Sequence, residues 1–203
     1  MNNFKDINEW FEWKNKKDRQ SVETRFIKYT QECGGKNNTD VLFNILYLYA
    51  VGLYIKNKKD KKYTVSNRIQ LGNQLIHSLK YINENRDEDV DRCLNPLAKV
   101  YSSYGNLTVM WPGGNTLKGN GNNGYYDNPD LFFRKNKKWY MILCDFEYAF
   151  LECFKERIEN KEYENLSSFA NSFESLDSFA KYIDGIVSII EDRTEKIEKY
   201  LNN

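Results

Sequence analysis

From Leu176 to Tyr200 the apolar residues recur in alternating steps of three and four: Leu176, Phe179, Ile183, Ile186, Ile190, Ile197 and Tyr200, with Arg193 occupying one place in the series. A spacing of about 3.5 residues lays one continuous stripe along a helix, the pattern of coiled coils and helical bundles. The C-terminal amphipathic helix is therefore placed at 175–203, and its stripe needs other helices, or a second copy of the chain, to cover it. Arg193 interrupts the stripe and argues against a long coiled coil. Glu195 and Lys199 form an i,i+4 pair on the outer side.

A second segment demands the opposite environment. Val41 to Ile55 is apolar nearly all round and 15 residues long. A membrane span needs about 20 such residues, so this reads as a buried helix in the middle of a bundle. A strand pair is the competing reading, and length favours the helix. Asn38 or Thr39 is expected to cap it, with Asp40 in its first turn. Upstream, Phe4, Ile7 and Phe11 share a helix face, as do Val22, Phe26, Tyr29 and Cys33 before Gly34-Gly35. Downstream, Thr64 or Ser66 opens a helix through Ile69, Leu75, Ile76, Leu79 and Ile82. Asn83–Asp91 is a polar connector. Asn95-Pro96 starts a short helix through Leu97, Val100 and Tyr101 that stops at Gly105. Phe146, Ala149, Phe150, Cys153, Phe154 and Ile158 trace another helix. The fold class expected is mainly α: one helical domain over 1–203 with a long ordered Gly/Asn-rich loop. Leu131–Phe133 and Trp139–Cys144, either side of a basic turn, read equally as a small β-hairpin or the start of a helix.

Bulk composition closes several functional classes. Net charge is +1, so no global field draws the chain to nucleic acid or to an acidic membrane. The cysteines, at 33, 93, 144 and 153, form no Cys-x-x-Cys pair, so neither a zinc site nor a redox motif is indicated. With no secretory pattern at the N-terminus, they read as free thiols in a reducing, cytoplasmic setting. His77 is the only histidine, which excludes multi-histidine metal sites. Lysine and asparagine abundance accompanies AT-rich coding sequence, so single residues of these types carry little weight.

The unusual stretch is 106–130. Six glycines and two prolines fall between Gly105 and Asp130. Loops this long within domains are uncommon and are functional or disordered; interleaved Trp111, Tyr125 and Tyr126 favour function. Gly119-x-Gly121-x-x-Gly124 matches the dinucleotide fingerprint literally, but that motif works only between a strand and a helix, and here its flanks are loop. Asp127, Asp130, Asp145 and Glu147 supply oxygen ligands of the kind that two-metal nucleases use, yet Tyr148 stands where such nucleases place a lysine. Turn formation explains Asp127–Asp130 equally simply. Lys118, Arg134 and Lys135 can meet phosphates, and the loop aromatics can stack on bases; a solvated basic turn is the plainer account. Trp10 and Trp13 share a face of the first helix while Phe11 points elsewhere. One of those faces is a candidate interface.

The run Tyr101-Ser-Ser-Tyr-Gly105-Asn106-Leu-Thr-Val-Met-Trp-Pro112-Gly-Gly-Asn115, with Lys118 and then Asp127-Asn-Pro-Asp130-Leu131, resembles an uncharacterised family of bacterial proteins. The resemblance covers about 101–131. It implies a shared structural or ligand-binding loop and carries no activity with it.

Two functional expectations follow. The first is an interaction module that uses Trp111, Asn115, Lys118, Tyr125, Tyr126, Arg134, Lys135, Trp10 and Trp13 to dock on a larger protein or ribonucleoprotein, with no cofactor. A phage or mobile-element inhibitor of a bacterial nucleic-acid-targeting defence complex fits that character. The second is a metal-dependent nucleic-acid-processing enzyme or RNA-binding protein built on the 106–147 region.

Overall fold

The computed structural model describes residues 4–16, 38–57, 79–110, 163 and 166–202. Among these, helices dominate. Asp6 opens α1 (Ile7–Asn15): its carboxylate accepts from the amides of Asn8 and Glu9 at 2.9 and 3.0 Å, which satisfies two of the four donors every helix start leaves unpaired. Ile7, Trp10 and Phe11 are buried. The Ile7 amide itself donates to Asn95 Oδ1 at 2.9 Å.

The apolar run folds as α2 (Ile45–Lys56), and nine of its residues are buried. Its cap is Asn44, whose Oδ1 accepts from the Leu46 amide at 3.0 Å. The expected caps, Asn38 and Thr39, instead lie with Asp40 and Val41 in a strand, β1 (Asn38–Val41). β1 pairs antiparallel with β2 (Leu107–Met110), Asn38 opposite Met110 and Val41 opposite Leu107. Two short segments 66 residues apart thus find each other, a pairing no local pattern announces.

After α3 (Leu79–Glu84) comes α4 (Glu88–Val100). It begins eight residues before Pro96, so the start expected at Asn95-Pro96 and the connector expected over 83–91 are both corrected. Asp87 caps it by accepting from the Asp89 and Val90 amides, and three acidic residues occupy the first turn, where the helix dipole favours them. Pro96 sits inside, at the cost of one internal hydrogen bond. A 3-10 turn (Tyr104–Asn106) then leads into β2, so the loop expected from 106 starts as ordered structure. The helices α5 (Leu166–Asn171) and α6 (Leu176–Asn202) complete the described chain. Ser175 and Ser178 exchange amide-to-hydroxyl bonds at 3.1 and 3.3 Å across the α6 start, a reciprocal cap.

Packing follows the two patterns read from sequence. α6 lies along α4 and presses on the 3-10 turn; α2 touches α3, α4, α5 and α6, and α1 packs on α4. Gly52 permits the closest approach of α2 to α4, since a Cβ there would sit 2.7 Å from a Val90 methyl. Aromatic edges fill the remaining space. Trp10 meets Phe11 and Tyr101 edge-on, and Phe169, Phe173, Phe179 and Tyr182 form a second cluster. On the α6 stripe Phe179, Ile183, Ile186, Ile190 and Ile197 are fully buried, as expected, while Tyr200 is 53% exposed. On α6 Lys196 pairs with Asp192 at 2.6 Å.

Candidate functional site

The polar centre of the described structure lies at the Gly105-Asn106 pair, where the 3-10 turn passes into β2. Asn106 is fully buried. Its Nδ2 donates to the carbonyls of Tyr101 (2.8 Å) and Phe43 (3.2 Å), and its Oδ1 accepts from the Phe43 amide at 2.9 Å. The Leu42 amide donates to the Asn106 carbonyl at 2.7 Å. This side chain therefore pairs with Phe43 as a neighbouring strand residue would, extending the β1–β2 ladder by one rung. Without such partners a buried amide group would cost several kcal/mol.

Arg193 reaches the same turn from α6. Its side chain is fully buried, and Nη1 lies 3.1, 2.8 and 2.6 Å from the carbonyl oxygens of Tyr104, Gly105 and Leu107. A guanidinium tolerates burial only with hydrogen bonds to offset its lost hydration, and the turn aims three acceptors at it. One residue on, Thr194 Oγ1 accepts from the Gly105 amide at 2.9 Å and donates to the Ile190 carbonyl at 2.6 Å. The backbone contact is closer still: a Cβ on Gly105 would fall 1.9 Å from the Ile190 carbonyl oxygen. Glycine is required here by proximity. The apparent break in the α6 stripe is thus where the helix grips the turn.

A second polar cluster joins α1, α2 and α4. The Tyr49 hydroxyl donates to Asp91 Oδ1 and accepts from the Asp87 amide, both at 2.8 Å. Burial pushes the Tyr49 phenol up to about 12, with the neighbouring Asp91 carboxylate adding to the rise. Arg86 binds Asp91 at 2.5 Å, donates to Asn8 at 2.8 Å and lies over the Phe11 ring at 4.3 Å. At the rim, Lys56 bridges Asp87 and Asp89. Burial works against the Asp87 carboxylate, but the bond from Lys56 and the capped amides outweigh it and hold its pKa below the usual range; Lys56, then Arg92, do the same for Asp89. Every one of these groups is spent on helix caps and inter-helix contacts. The cluster ties the starts of α1 and α4 to α2.

Of the residues expected to form a site, Trp10 is fully buried among Phe11, Trp13 and Tyr101. It is core, and the expectation of a docking face on it is corrected: Phe11 is buried as well, its ring edge-on to Tyr49 of α2. Trp13 is half-buried, its ring 5.3 Å from that of Phe4. Trp111, Asn115, Lys118, Tyr125, Tyr126, Asp127, Asp130, Arg134, Lys135, Asp145 and Glu147 lie outside the described residues. So do the expected hairpin, the helix at 146–158, His77 and three of the four cysteines. Cys93 is described; burial raises its thiol pKa, which disfavours the reactive thiolate. Among the described residues no group of histidine, cysteine and carboxylate side chains could hold a metal, and no helix is long and apolar enough to cross a membrane.

Sequence reasoning singled out Gly105-Asn106 within the bacterial-family resemblance but did not anticipate Arg193 or Thr194. The signal was present as a charged residue in register with an otherwise apolar stripe. Comparison with known proteins adds nothing to this site: no family model, no curated protein and no solved structure matches the chain.

Proposed function

We propose that this chain is a protein-interaction module whose contact segment begins immediately after β2, within 106–130, and whose target is a larger protein or ribonucleoprotein. One observation carries the reading. A buried guanidinium, a buried amide and a helix-to-turn backbone contact converge on residues 104–107, just where the Gly-rich, aromatic stretch starts in the sequence. A rigid base beneath a binding segment reduces the ordering entropy that association costs. Tyr125, Tyr126 and Trp111 are of the types enriched at interface hot spots, and Lys118 supplies a charge for orientation.

Within this class, an inhibitor carried by a phage or mobile element and directed at a bacterial nucleic-acid-targeting defence complex suits the small size and the AT-rich composition. The test is replacement of Lys118, Tyr125 and Tyr126 by Ala in the full chain, followed by co-purification from host lysate. Loss of a protein partner with the fold intact supports the proposal. Undiminished recovery removes 106–130 as the contact surface. Thermal stability with added Mg²⁺ or Mn²⁺ separates the enzymatic alternative: carboxylates at 127, 130, 145 and 147 gathered around a metal predict a rise in Tm, and an interaction module predicts none.

A further inference from the structure

We draw no further inference here: the strongest candidate, the buried indole N–H of Trp10 in the aromatic side-chain cluster that α1 forms with Tyr101, is sealed from solvent by the side chains around it, and nothing in the structure shows what would reach it.

Discussion

Replacing Gly105 with Ala is the most demanding single perturbation of the site, because the clash is between main chains. The added methyl would sit 1.9 Å from the Ile190 carbonyl oxygen and 2.7 Å from both the Ile190 carbonyl carbon and Thr194 Oγ1. Ordinary contact begins at 3.4 Å, so the turn must move about 1.5 Å away from α6. The Ile190 carbonyl belongs to the middle of a 27-residue helix and cannot swing aside as a side chain would. A shift of that size breaks the bond from the Gly105 amide to Thr194 and stretches those from Arg193 beyond useful range. One buried neutral donor left unmade costs about 1–3 kcal/mol, and a bond to a charged group about 1.5–3 kcal/mol. The expected loss is about 4 kcal/mol, a large share of the roughly 5–15 kcal/mol that domains possess. For a chain of this length the melting temperature should fall by about 8–16 °C, read by circular dichroism. Gly52→Ala is the control. Its methyl meets side chains only, the two Val90 methyls at 2.7 and 3.3 Å, and alanine gains about 1 kcal/mol of helix preference, so after the cost of overpacking, about 1–3 kcal/mol, the net loss should stay under about 2 kcal/mol. Equal losses in the two variants would refute the claim that the turn and α6 are in rigid backbone contact.

Three further outcomes are expected. Asn106→Ala removes the side-chain bonds to Phe43 and Tyr101 and should cost about 2–4 kcal/mol in urea unfolding, whereas replacing the exposed Asn202 should cost under about 0.5 kcal/mol. The phenol of Tyr49 has a folded pKa near 12 against an ordinary 10.0, so its contribution is complete below pH 10 and is lost as pH rises towards 12; Tyr49→Phe should be less stable at neutral pH and show a flatter alkaline limb in denaturant midpoints. Asp87 and Asp89 have folded pKa values below their unfolded ones, so their contribution is present above about pH 4 and fades as the solution is acidified. Lys56→Met should flatten that acid limb, and a limb that keeps its slope would mean the bridge has no part in it.

What the sequence made readable was local periodicity. The three-four spacing placed α6, and the unbroken apolar run placed α2, since each pattern depends on near neighbours. The cap of α2 was misplaced by five or six residues because Asn38 and Thr39 are good caps by type, while the pairing that draws them into β1 depends on residues 107–110. At α4 the prominence of Pro96 hid a complete start signal at Asp87-Glu88-Asp89; proline is tolerated inside because α6 and α1 pack over this helix. The site was half legible. Gly105-Asn106 stood out as a pair, but its purpose depends on Arg193 and Thr194, nearly 90 residues later, and only the fold brings them together. Trp10 misled for the opposite reason: the aromatic type that marks interfaces also fills cores, and burial decides between the two.

The most direct measurement is a tagged pull-down of the full chain from host lysate, with and without nuclease treatment, read by mass spectrometry. An interaction module predicts a stoichiometric protein partner that survives nuclease. Recovery of nucleic acid alone, or of no partner, would contradict that function and return attention to the carboxylates at 127, 130, 145 and 147.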